Sequence, residues 1–203
     1  MDADLKHYYE NVQSYDWTAA SRTLSPEGFF HRLRLRATLD AIKAHGVAPY
    51  VDIGCGTGLI TRHLPAGTVA VDLNPRNLTL LARYAPHAER IHADADALPL
   101  AGGSAKTAIL TEVLEHFRDP EGVLREAARV LASGGKLIGT TPRASALWHL
   151  RFLSWSCTGK EVEPFHTEFG AAELQALLRK HFADVTIRRV AFGMTLLFVC
   201  GKA

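Results

Sequence analysis

The spacing of apolar residues along the chain changes character at Tyr50. Upstream, Phe29, Phe30, Leu33, Leu39 and Ile42 recur at helical intervals. They follow Ser25-Pro26-Glu27, a capping serine with proline in the first turn, and stop at Gly46, so a helix is predicted between these signals. Residues 5–24 differ: Tyr8-Tyr9 and Tyr15-Asp16-Trp17 punctuate a polar stretch that has no clean apolar stripe. Beyond Tyr50, short apolar runs alternate with amphipathic stretches. Residues 50–53, 68–72, 90–92, 106–110 and 136–140 read as strands. Residues 59–64, the stretch opened by Pro75, 121–131 and 171–181 read as helices. Two more strands, 185–190 and 195–200, are joined by a link too short for anything but a hairpin, which puts one antiparallel strand at the sheet end. The order predicts an α/β fold: a doubly wound, seven-stranded, mostly parallel sheet with an antiparallel C-terminal strand.

Composition narrows the partners. With 203 residues the expectation is one domain, with 1–47 as an N-terminal helical cap and 142–168 as an insertion on the substrate side. A net charge of +2 without a basic stripe argues against a dedicated nucleic-acid surface. Cys55, Cys157 and Cys200 are scattered and odd in number, with no metal knuckle, so a reducing cytoplasm is expected. Met1-Asp2-Ala3-Asp4 lacks the basic start and apolar core of a secretory signal. The longest apolar run, 190–201, is too short to span a bilayer and reads as a buried strand, so no transmembrane segment is expected.

The chemistry begins at Val51-Asp52-Ile53-Gly54-Cys55-Gly56-Thr57-Gly58, a glycine loop between a strand and a predicted helix. Glycines there permit positive φ and let a ligand approach backbone N–H groups. A dinucleotide loop has its third glycine three residues after the second, where this chain has Leu59; here the third is Gly58. Asp52 is unhelpful beside a pyrophosphate but suits the ammonium of an amino-acid-like ligand. Asp72, at the end of the second strand, suits a ribose diol. The set favours S-adenosylmethionine (SAM) over NAD.

On these residues the chain from Tyr50 onward resembles the class I SAM-dependent methyltransferases. VDIGCGTG (51–58) and VAVDLNP (69–75) look like their first two motifs, HADADALPL (92–100) like their D-A-x-x-L-P-F segment, and TEVLEHFRDP (111–120) and RVLASGGKLIGTTP (129–142) like those that follow. The resemblance implies a Rossmann-like fold, SAM as cofactor and S-adenosylhomocysteine as product. It implies cofactor contacts from Asp52, Gly54, Gly56, Gly58, Asp72, Leu73, Asp94, Ala95 and Thr111. Lys106 departs from the aspartate many members carry before the fourth strand. Within the superfamily the chain looks most like the ubiquinone-pathway O-methyltransferases, through Glu112–His116, His166 with Phe169, Glu173 and Leu174, and the stretch 30–34, which makes Arg34 a candidate for the SAM carboxylate. The Asn-Pro of that last region is missing here.

Glu112, Glu115 and His116 have i, i+3, i+4 spacing, which on a helical turn would aim all three to one side. Two chemistries fit. His116, with Glu112, can serve as the catalytic base toward an acceptor hydroxyl. Alternatively the three, with His166, can position a divalent cation, although no metal ligand is assigned. The insertion interleaves Leu147, Trp148, Leu150, Phe152, Leu153 and Trp155 with Arg143, His149 and Arg151. That pattern suits an apolar lid over the acceptor, peripheral membrane contact, or an extra packed helix. Tyr8, Tyr9 and Tyr15 either close over the cofactor or form a surface aromatic cluster. The expected activity is methyl transfer from SAM to a hydroxyl of a small, hydrophobic or phenolic acceptor, with no nucleic acid. The alternatives are metal-assisted RNA 2′-O-methylation and a SAM-binding partner protein without chemistry.

Overall fold

The computed structural model describes residues 1–13, 15–145 and 165–203. Seven strands form one sheet in the order β3-β2-β1-β4-β5-β7-β6. They are β1 (Tyr50–Ile53), β2 (Val69–Asp72), β3 (Glu89–His92), β4 (Ala105–Thr111), β5 (Leu131–Pro142), β6 (Asp184–Val190) and β7 (Thr195–Gly201). The pairings from β3 through β5 are parallel, and β7 runs antiparallel to both β5 and β6. The antiparallel strand is therefore next to the edge, with β6 outside it. β5 begins earlier than Gly134-Gly135 suggested, because the chain re-enters the β4 ladder at Leu131 and resumes register at Lys136 after a bulge.

The helices are α1 (Ala3–Asn11), α2 (Trp17–Ala20), α3 (Pro26–His45), α4 (Pro75–Tyr84), α5 (Glu121–Val130) and α6 (Ala171–Leu178). α3 starts where its signals lie: Ser25 Oγ accepts from the Gly28 amide at 3.0 Å and Pro26 opens the first turn. Asn74 caps α4 in the same way, accepting from the Arg76 amide at 3.0 Å. Alternate residues of the central strands divide between two apolar layers. Ile109, Ile138 and Leu197 pack under Ala41 and Ile42 of α3, and Ala70 under Leu81 of α4. Val51, Leu110, Leu137 and Phe198 face α5 and α6. Both faces are covered, as a parallel sheet requires.

The expected helix at 59–64 is absent; a 3-10 turn, Thr61–His63, stands there. Pro65 explains it, since the residue before a proline avoids the α region, and Leu64 is extended at φ −92°, ψ 157°. Among the described residues no helix is long and apolar enough to cross a membrane.

Candidate active site

The carboxyl ends of β1 to β5 lie along one rim, and every sequence-derived candidate sits there or on a segment that crosses it. In an open parallel sheet that rim holds the ligand. It divides into a motif-built half, on β1, β2 and β3, and an assembled half at the end of β4.

The motif-built half starts with the glycine loop. Gly54, Gly56 and Gly58 have φ of 69°, 54° and 89°, where a side chain is strained. At Gly54 space forbids one as well, since a Cβ would stand 2.4 Å from Val113 Cγ2. Gly56 lies under the Trp17 indole, 3.7 Å from where its Cβ would be. Four of the five loop amides are taken up within the fold rather than free for a ligand, contrary to expectation. Gly54 and Cys55 donate to the Val71 carbonyl at 2.8 and 3.0 Å, Gly58 to the Cys55 carbonyl at 3.0 Å, and Gly56 to Asp72 Oδ2 at 2.7 Å. An anion-binding nest needs such amides aimed outward, so this loop is unsuited to a pyrophosphate.

Asp72 is buried, and burial pushes its pKa up against three hydrogen bonds to the carboxylate. Oδ1 accepts from the Asn74 amide at 2.8 Å and Asn77 Nδ2 at 3.0 Å, whereas Oδ2 accepts only from Gly56, leaving one lone-pair site. Leu73 is half-buried, and its carbonyl takes His92 Nε2 at 2.7 Å. Asp94 is buried beside Ala95, with Lys6 Nζ of α1 at 3.4 Å from Oδ2. Asp52 lies behind the loop: Oδ2 accepts from Thr61 Oγ1 at 2.6 Å, Oδ1 is buried with no partner among the described residues, and burial drives the pKa up to about 7.

The assembled half begins at Thr111, the last residue of β4, paired with Thr140. Glu112 follows at φ 55°, a left-handed conformation that costs a residue with a Cβ about 1 kcal/mol or more. That reversal corrects the expected helical turn: only Leu114–His116 is helical, as a 3-10 turn, and the three side chains diverge. Glu115 turns inward, buried, and its Oε2 accepts from Thr141 Oγ1 at 3.1 Å. Glu112 stays at the rim, Oε2 paired with Arg34 Nη1 of α3 at 2.6 Å and Oε1 buried with no partner among the described residues. His116 Nδ1 lies 2.9 Å from Tyr9 Oη, and its ring meets His166 edge-on with centroids 5.8 Å apart. Burial, then the nearby His166, lowers the His116 pKa to about 3. Burial also lowers that of His166. Among the described residues no group of three or more His, Cys, Asp or Glu side chains converges as a metal site would require.

Of the N-terminal residues, the sequence pattern raised Tyr9 as one that could close over the cofactor and missed Lys6, Trp17 and Thr18. α1 and α2 cross the rim. The Asn74 side chain donates to the Tyr9 and Val12 carbonyls at 3.0 and 2.9 Å, and Thr18 bonds to Thr57 in the glycine loop. Lys6, Tyr9, Trp17 and Thr18 thereby join the site, as does Asn77 from α4. Only Leu5 of α1 is fully buried, so no apolar stripe exists to be seen; the readable sign was aromatic residues set among polar ones. The core of the insertion, 146–164, lies outside the described residues, and with it the expected lid or membrane contact.

Residues 51–139 match the family model for a methyltransferase domain. The chain is 29% identical over 143 residues to a ubiquinone biosynthesis O-methyltransferase of Xanthomonas euvesicatoria, covering 64% of this chain and 59% of that protein. It is 33% identical over 120 residues to a ubiquinone/menaquinone biosynthesis C-methyltransferase of Hahella chejuensis, covering 53% and 48%. The chain spans about half the length of the curated relatives it matches. Its fold is similar to that of magnesium protoporphyrin IX methyltransferase from Synechocystis with bound S-adenosylhomocysteine, at a TM-score of 0.69, 15% identity and coverage of 98% and 99%. With its strand order, its glycine loop and the match of residues 51–139 to a methyltransferase domain, the chain is similar to the class I SAM-dependent methyltransferases.

Proposed function

We propose that the protein transfers a methyl group from SAM to a hydroxyl of a small, largely apolar acceptor and releases S-adenosylhomocysteine, the segments 1–47 and 142–168 serving as cap and acceptor-side insertion of one catalytic unit. The observation that carries this reading is the presence on one rim of the buried Asp72 carboxylate, with an open lone-pair site on Oδ2, and of His116 four residues after Glu112, whose Oε1 is buried with no partner among the described residues.

The residues fit SAM. Its nucleoside has no phosphates, so a loop with most of its amides spent on the fold loses nothing. The open site on Asp72 Oδ2 would take one ribose hydroxyl, and Asn77 would give way for the second. Asp94 would accept from the adenine amino group, with Ala95 and Leu73 along the ring. Thr111 would flank the methionine portion, and Asp52 would face its ammonium from behind the loop. Arg34 spends Nη1 on Glu112 and keeps the rest of its fork for a carboxylate. When bound, SAM supplies a methyl group on a positively charged sulfur, electrophilic toward oxygen.

At neutral pH His116 is uncharged, because protonation would place a buried charge beside His166. So weak a base does not ionise a phenol in advance. It takes the proton as the carbon–oxygen bond forms, when the hydroxyl oxygen turns positive and strongly acidic. Glu112 Oε1 accepts a hydrogen bond from the acceptor and fixes its approach.

The test is transfer of labelled methyl from SAM to a panel of phenols, catechols and aliphatic alcohols. Labelled ethers are expected, with His116→Gln slowing turnover about 10²–10⁴-fold while leaving cofactor binding intact. Label on carbon or nitrogen, or on RNA alone, overturns the hydroxyl assignment. Cofactor binding without transfer to any acceptor points to a partner protein.

A further inference from the structure

We propose that Arg22, just past α2, and Arg62, in the turn after the glycine loop, together form a binding site for a phosphate group. The site is separate from the rim and does not depend on the reading of the cofactor or of His116.

Three guanidiniums gather around Tyr84, the last residue of α4. Arg22 Cζ stands 5.7 Å from the centre of the Tyr84 ring, and Arg83 is its neighbour in sequence. Arg62 is brought to the same end of α4 by its turn, where the Leu64 carbonyl bonds His87 Nε2 at 2.9 Å. Asp16, the carboxylate beside them, is committed elsewhere. Its Oδ1 accepts from the Ala19 amide at 2.8 Å, capping α2, and its Oδ2 from Tyr84 Oη at 2.7 Å. Among the described residues neither Arg22 nor Arg62 has an ion-pair partner. Arg62 Nε donates to His63 Nε2 at 3.0 Å, but Nη1 is buried with no partner among the described residues. An arginine does not shed its charge, so that unbonded N–H keeps its full desolvation cost. Burial, then the Arg22 guanidinium, lowers the pKa of Arg62, because the two positive charges repel each other. His63, lowered by burial and by Arg62, is neutral at neutral pH and adds no charge of its own.

A tetrahedral oxyanion resolves such an arrangement, since each guanidinium fork offers parallel N–H donors to a pair of oxygens. Three guanidiniums against one carboxylate leave a local charge of about +2, which matches the charge of about −1.5 to −2 on a phosphomonoester at neutral pH. A single carboxylate ligand would neutralise only half of it. Arg22 is exposed and Arg62 half-buried, so the site opens to solvent and the Arg62 fork can swing toward a shared anion. The anion would tie the segment after α2, whose Thr18 bonds to Thr57, to the turn beyond the glycine loop.

Isothermal titration of the full chain with inorganic phosphate at low ionic strength tests the site. Flotation with phosphatidylcholine vesicles, with and without phosphatidic acid, separates a free phosphate from a lipid headgroup. The expected result is one phosphate bound with a Kd of about 1 mM or tighter, weakened about ten-fold or more by Arg22→Gln and by Arg62→Gln. Arg188→Gln, which removes the same charge from an exposed position on β6, should change it less than about two-fold. Binding to phosphatidic acid vesicles alone, lost in Arg22→Gln and Arg62→Gln, keeps the site and makes its ligand a lipid surface. Arg22 is exposed, so Arg22→Gln serves even if Arg62→Gln fails to fold, with unchanged circular dichroism and melting as the check. Absence of binding to both probes by the wild type overturns the proposal. So does binding that Arg22→Gln leaves unaltered, or that Arg188→Gln weakens equally.

Discussion

The two halves of the rim are built in different ways. The motif-built half comes from short contiguous segments: the loop 54–58, Asp72 with Asn74 and Asn77, and Asp94. Asp72 is held by Asn74 and Asn77, two and five residues on, and by the Gly56 amide from the neighbouring β1 loop. The assembled half brings Tyr9 from α1, Arg34 from α3, Glu112 and His116 after β4, and His166 from beyond β5, none near another in sequence except the central pair. The first half is positioned by local covalent geometry. The second exists only when the whole sheet has closed. A change of cofactor would require rebuilding a motif, whereas a change of acceptor needs only one of several distant segments to shift.

If local geometry rules the motif-built half, the heaviest damage comes from its backbone. Gly54→Ala forces a Cβ into Val113 at a positive φ, and should cost about 3 kcal/mol of unfolding free energy by denaturant titration. A loss under about 0.5 kcal/mol would show that the loop is not so fixed.

The halves should also respond to pH with opposite sign. The folded-state pKa of Asp52 is raised to about 7 from 3.8, so the folded state binds the proton more tightly than the unfolded. Its contribution is greatest below pH 3.8 and lost as pH rises to about 7. For His116, lowered from 6.5 to about 3, stability is fully present above 6.5 and lost as pH falls toward 3. Asp52→Asn should therefore flatten the decline between pH 4 and 7, and His116→Gln the decline on acidification, each by roughly 4 kcal/mol in unfolding free energy followed across that range. Parallel profiles for the two variants would erase the contrast.

The smallest effect concerns the Arg34–Glu112 pair, which is mostly but not wholly buried. A double-mutant cycle with Arg34→Gln and Glu112→Gln should give a coupling of about 1 kcal/mol. A value near zero would mean the pair does not hold α3 to the end of β4.

The same contrast explains what could be read in advance. The succession of strands, the glycine spacing and the capped start of α3 are written in neighbouring residues, and so they were legible. The helix after the loop was misread because Pro65 acts backward on Leu64. The Glu-x-x-Glu-His spacing misled because a single left-handed residue, Glu112, cancels helical periodicity and sends Glu115 into the core. α1 carries no stripe because it packs on a polar rim, through Lys6, Tyr9 and the carbonyls held by Asn74. Periodicity reports burial against an apolar layer, and that contact is not one.

The central claim is that this rim binds SAM with the Asp72 carboxylate of the motif-built half as a main hold and without need of the His116 imidazole. Isothermal titration of the full chain with S-adenosylhomocysteine tests it, run beside Asp72→Ala and His116→Gln. The account predicts one site with a Kd on the order of micromolar, weakened about 100-fold by Asp72→Ala, or about 2.7 kcal/mol, and changed less than about two-fold by His116→Gln. An absence of binding to the wild type, or equal binding to Asp72→Ala, would contradict it.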